Sequence, residues 1–272
     1  MAAHDRLTKL GHYAADSFTM PFRLLLGQRA LLKLLIRREM VARTSGTLLG
    51  GVWMVVQPAL QILGLWFFLD IVLKIRSAGA VPFVNYFLLG MIAWTMMNEI
   101  LQRSLTVMVE FGSLYQRTIF PLPLLPLLPL LVSGAIYGAI LVVVTALLES
   151  ALAALGAALG TILLMIWLIP LGYLLAVLGL FVRESRQVIP FGLTLFLYLT
   201  PILYMPEQMP MLLREWSSFN PIADIMVLLH AIVQNQSWTG GNLIRPLVLW
   251  GVLTPAAWML FKRTESHMRE AL

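Results

Sequence analysis

The chain has 272 residues, of which 60% are hydrophobic and 12% charged, with a net charge of +6 and a mean hydropathy of +0.85. A soluble domain carries about 25% charged residues, so this chain has too little polar surface to cover a water-soluble globule. The absence of cysteine excludes disulfide and thiolate chemistry. The basic residues lie beside apolar runs, where they set membrane orientation rather than bind nucleic acid.

The chain begins with a mixed, basic stretch, residues 1–47, without the short apolar core and small-residue cleavage site of a signal peptide. Within it Leu24, Leu25, Leu31, Leu32, Leu35, Ile36 and Met40 recur at helical spacing. Arg29, Lys33 and Arg37 follow an i, i+4, i+8 pattern on another face. This is an amphipathic helix lying at the membrane interface, with its basic stripe near anionic lipid headgroups. It reads either as a float or as a lever beside a transport path.

A helix needs about 20 mostly apolar residues to cross the hydrocarbon. Six segments qualify: Leu48–Leu73, Phe83–Leu101, Leu124–Leu148, Thr161–Val182, Val188–Tyr204 and Leu243–Phe261. With the first crossing starting inside, 15 of the 19 Lys and Arg fall on cytoplasmic segments and 4 on outer ones. Both termini are then cytoplasmic, and residues 262–272 form a cytoplasmic tail. Residues 112–120, between crossings two and three, read as a short cytoplasmic helix that Pro121 stops. Residues 206–240 hold two short apolar pieces divided at Phe219-Asn220-Pro221. They predict a re-entrant pair whose non-helical backbone is covered by protein or lines water. The fold class is thus an all-α integral membrane protein.

Phosphate-cradling and zinc-protease motifs are missing, and His4, His12, His230 and His267 lack metal-ligand spacing. An embedded enzyme would have to rest on Asp70, Glu99, Glu149 or Asp224. Glu99 is the deepest, and Arg103, four residues on, can pair with it on the same helix face. Gly46/Gly50, Gly134/Gly138 and Gly156/Gly160 have the spacing that lets helices approach closely. Gln57 and Gln61 on the first crossing are costly in lipid and predict a face turned to the bundle interior. Trp53, Trp66, Phe67, Phe68, Tyr86, Trp94, Tyr198 and Tyr204 fall on crossings one, two and five. They read either as interfacial belts or as flat walls on which sugar faces slide.

The order of motifs resembles the membrane subunit of type-2 ABC exporters that move polysaccharides such as O-antigen, capsule or teichoic acid. The stretch "RREMVARTSGTLLGGVWMVVQPALQ" matches the family's first-crossing pattern at Arg38, Glu39, Arg43, Leu49, Gly50, Trp53 and Pro58. Thr44 replaces an aromatic residue, and Gly46 a small polar one. Phe181, Arg183 and Glu184 match the motif before crossing five; Thr200, Pro201, Ile202 and Tyr204 match the one closing it; Asn220 and Pro221 match the last.

The resemblance implies a homodimer of this chain on two copies of a cytoplasmic ABC ATPase, which holds the ATP and Mg, this chain having no cofactor or metal of its own. It implies a bacterial inner-membrane channel, lined mainly by crossings one and five, for a lipid-linked polysaccharide. The lining candidates are Trp53, Gln57, Gln61, Trp66, Phe67, Tyr198 and Tyr204. Gly112, Ser113, Leu114, Tyr115, Gln116 and Arg117 would dock into the ATPase, and Arg37, Arg38, Glu39 and Arg43 would form the hinge of a gate helix. A drug or small-lipid exporter of the same superfamily is the alternative.

Overall fold

Long uninterrupted apolar runs become long helices here because lipid leaves backbone N–H and C=O groups no partner but the helix itself. The computed structural model describes residues 16–46, 48–74, 82–112, 121–205, 211, 215, 217, 220–234 and 241–271. Among the described residues there is no strand, and the regular structure is helical. The protein is an all-α chain.

Helix α1 covers residues 16–27 and α2 covers Arg29–Thr44, with a break at Gln28. Leu32 and Leu35 of α2 are buried against the bundle, while Arg29, Lys33 and Arg37 are exposed. The amphipathic pattern therefore has its expected polarity. The chain turns through Gly46 and Gly50, both at positive φ (80° and 53°) with no neighbour within 4 Å of a built Cβ. This glycine pair serves a left-handed turn, which glycine adopts without steric cost, and not the close helix packing that its spacing suggested.

The first apolar run, Gly50–Val72, comprises a single 3-10 turn, α3 (Trp53–Trp66) and a π-helical end, Phe67–Val72. Helix α4 (Phe83–Glu110) reverses direction, α5 (Leu127–Leu148) follows a proline-rich start, and α6 (Ala151–Phe181) returns. A tight turn leads to α7 (Ser185–Leu199); α8 (Pro221–Gln234) and α9 (Gly241–Ala271) complete the chain.

Four of the six expected crossings have both the length and the apolarity to span a membrane: Gly50–Val72, Leu122–Leu148, Ala151–Phe181 and Leu243–Met268. Helix α4 has the length, 28 residues, but is diluted by Asn98, Glu99, Gln102 and Arg103. Helix α7, at 15 residues, reaches only about 22 Å at about 1.5 Å per residue, short of the roughly 30 Å hydrocarbon layer. The second short apolar piece is α8, 14 residues long; most of the first lies outside the described residues.

The core is the mutual packing of α4, α5 and α6, with α9 and α8 laid against α6. Small residues permit it. A Cβ on Gly179 would meet the Leu105 carbonyl oxygen at 1.9 Å, and one on Gly156 would meet the Ile232 carbonyl at 2.8 Å. Gly134, Gly138 and Gly160 likewise face Met165, Thr161 and Leu229 across helix contacts. By contrast, only 17% of the apolar window in Gly50–Val72 is buried within the chain, against 56% for those of α5 and α6.

Prolines inside these helices remove donors, and neighbours compensate. Pro170 cannot donate to the Ile166 carbonyl, and that oxygen accepts instead from Trp250 Nε1 of α9 at 2.9 Å. At the end of α7, Asn220 Nδ2 donates to Thr200 Oγ1 at 3.0 Å. Tyr86 OH donates to the Pro201 carbonyl at 2.6 Å. Two motifs that carried the resemblance thus meet in one hydrogen-bonded knot, where Asn220 Oδ1 also accepts from the Ile222 N–H opening α8.

Candidate functional site: a polar cavity beside a charged network

Helix α2 brings Glu39 and Arg43, four residues apart, onto the face that meets the bundle. Helix α4 supplies Glu99 and Arg103 with the same spacing, and α5 supplies Ser133 and Tyr137. Arg43 Nε donates to Glu39 Oε1 at 3.0 Å, its Nη1 to Glu99 Oε1 at 2.6 Å and its Nη2 to Ser133 Oγ at 3.3 Å. Glu99 also accepts from Ser133 Oγ at 2.9 Å and, through Oε2, from Tyr137 OH at 2.6 Å. Arg103 pairs with Glu39 and lies 3.6 Å from Glu110.

The partner of Glu99 is therefore Arg43 of a different helix, not Arg103 of its own. The swap has a physical reason. Side chains of Arg43 and Glu39 are only 13% and 7% exposed, and a guanidinium taken from water needs a carboxylate with further hydrogen bonds around it. Glu99, with a hydroxyl on each oxygen, supplies them. Arg103 instead turns to the remaining oxygen-rich pair, Glu39 and Glu110.

Beside this network lies a polar cavity of about 420 Å³ between α3, α4 and α5. Trp53, Gln57 and Gln61 of α3 line it, so three of the expected channel residues share one space. Thr95, Asn98 and Gln102 of α4 form its opposite wall. Sequence reasoning passed over these as a group, although Thr95, Asn98, Glu99 and Gln102 stand at i, i+3, i+4 and i+7, one polar stripe on one helix face.

The other expected lining residues lie elsewhere. Phe67 and Tyr198 are 53% and 58% exposed within the single chain. Tyr204 OH donates to the Tyr198 carbonyl at 2.5 Å, at the far end of α7. Trp66 has a buried indole N–H without a partner among the described residues. Tyr86 and Trp94 are buried in the core.

Of the hinge candidates, Glu39 and Arg43 enter the network, Arg38 stacks over the Phe111 ring at 5.4 Å, and Arg37 is exposed. Of the docking segment, Gly112 is buried two residues past the end of α4, while Ser113, Leu114, Tyr115, Gln116 and Arg117 lie outside the described residues.

At the opposite end of the bundle a second, smaller network ties α4, α5 and α8. Glu149 Oε1 accepts from Asn85 and Gln234, each at 3.1 Å, and His230 stacks on Tyr86 with ring centroids 4.0 Å apart. Asp224 of α8 accepts from Arg245 of α9 at 2.6 Å. The four carboxylates that an enzyme would need are thus spread over the bundle and three are tied up locally, Glu99 with Arg43, Glu149 with amides and Asp224 with Arg245.

Comparison with known proteins agrees with this architecture of a multi-pass helical chain. Two relatives, both named O-antigen export system permease protein RfbA and both from Klebsiella pneumoniae, are 23% and 22% identical over 212 residues. Each match covers 75% of this chain and 80% of the relative. Residues 30–233 match the family described as ABC-2 type transporter, a stretch that runs from the start of α2 to the end of α8. The chain belongs to the ABC-2 type transporter membrane family.

Proposed function

We propose that this chain is the channel-forming subunit of an ATP-driven exporter for a lipid-linked polysaccharide, in the bacterial inner membrane with both termini cytoplasmic. Two copies enclose the path, and two copies of a separate ATPase, holding ATP and Mg, drive it. The observation that carries this reading is the polar, aromatic-walled cavity on a weakly packed first crossing, together with the names of the relatives. A polymer that must slide is served by many weak contacts; one tight site would stall it. Amides and aromatic rings supply contacts of that kind. The positive-inside count, 15 against 4, supports this orientation.

Closure of the ATPases is passed through residues 112–120 to α3 and α7. The test is the chain reconstituted with its ATPase in liposomes. Arg117→Glu reverses a charge at the docking segment and is expected to remove most of the glycan-stimulated ATPase while assembly of the chain itself persists. Stimulation unchanged in that variant would overturn the docking assignment. Stimulation of the wild-type complex by small amphiphiles but not by lipid-linked glycan would favour the drug or small-lipid exporter.

A further inference from the structure

We infer that the cavity between α3, α4 and α5 is a subsite for uncharged sugar, and that it does not hold the phosphate of a lipid carrier. The inference rests on the glycan-exporter reading and specifies which part of the substrate this space takes. Arg43 and Arg103 line the cavity and would suggest an anion site, but their charge is already spent. Every guanidinium nitrogen of Arg43 is engaged, by Glu39, Glu99 and Ser133. Arg103 is shared between Glu39 and Glu110. Two guanidiniums are thus set against three carboxylates, and a phosphate entering here would add to an existing excess of negative charge beside Glu99.

The rest of the wall matches what a sugar offers. Hydroxyl groups both donate and accept, and so do primary amides. Asn98 Oδ1 accepts from Gln102 Nε2 at 3.0 Å, which leaves the Asn98 Nδ2 donor and the Gln102 Oε1 acceptor for a ligand. Gln57 and Gln61 stand opposite on α3, both exposed and with no partner among the described residues. Trp53 and Tyr137 contribute flat rings to the same space, and Tyr137 is fixed by its bond to Glu99. The volume, about 420 Å³, falls within the roughly 300–1,000 Å³ of small-ligand clefts.

The experiment compares two probes on the purified full chain in nanodiscs: a polyprenyl-diphosphate-linked neutral glycan, and polyprenyl diphosphate without sugar. Binding is read by native mass spectrometry and titration. Asn98→Leu is expected to weaken the glycan-linked probe at least tenfold and to leave the sugar-free probe within twofold. Gln57→Leu, on the exposed face of α3, repeats the comparison where Asn98→Leu fails to fold. Equal loss of both probes, or no loss of either, would overturn the sugar subsite and leave the exporter reading intact. Failure of the wild-type chain to hold either probe would overturn the exporter reading, and the subsite with it.

Discussion

The α4–α5–α6 trunk and the α3 and α7 arms are built from similarly apolar residues yet are held in different ways. In the trunk, glycines bring backbones into contact and side chains from three helices fill the space between them. The arms touch the trunk along one side and leave Leu60, Phe67, Phe191 and Tyr198 exposed within the single chain. Packing, more than apolarity, drives association between helices in lipid. The trunk is therefore the tightly packed body, and the arms leave apolar surface uncovered within the single chain.

The sharpest way to break this contrast is to add the same side chain to both regions. Gly179→Val drives a branched side chain into the Leu105 backbone and should cost about 4–5 kcal/mol or more, the exceptional range for a point change. Folded protein recovered by detergent size-exclusion should be nearly abolished. Gly64→Val on α3, where nothing lies within 4 Å, should leave that yield unchanged. Similar losses at both sites would mean that α3 is packed as tightly as the trunk.

A smaller effect is expected where α2 and the trunk are joined by charge. Arg43→Gln and Glu99→Gln each strand one member of a part-buried pair and should lower stability by about 1–3 kcal/mol. The double variant should lose less than the sum, with a coupling of at least about 0.5 kcal/mol in thermal unfolding. Strict additivity would show that the two groups do not act on each other.

The smallest effect on stability belongs to the exposed aromatics. Phe67→Ala and Tyr198→Ala should shift unfolding by no more than about 0.5 kcal/mol while reducing export several-fold in a cell-surface glycan assay. A large loss of stability with export kept would assign these rings to packing.

The trunk was legible in part: run length identifies α5, but it starts α6 at Thr161 where the helix begins at Ala151, so the Gly156/Gly160 pair that packs on Ile232 and Leu229 fell outside the expected crossing. Glycine spacing misled at Gly46 and Gly50, since the same interval serves a left-handed turn. The charge network was misread from local spacing. Four residues separate Glu99 from Arg103, but Glu99 pairs with Arg43, 56 residues away on α2, and no periodicity reports a contact between two helices. The cavity was legible from one side only. Gln57 and Gln61 stood out as isolated amides in an apolar run, whereas the α4 stripe was hidden among charges that invited an ion-pair reading.

The Ile166 carbonyl released by Pro170 and captured by Trp250 couples a proline of the same helix to a tryptophan 84 residues from the shared oxygen. Replacing the tryptophan alone would leave that part-buried carbonyl without its donor. Relatives that keep proline at the first position should retain an N–H-bearing ring at the second, and those that lose the proline should be free to carry phenylalanine or leucine there. Covariation between these columns of an alignment would record a single hydrogen bond.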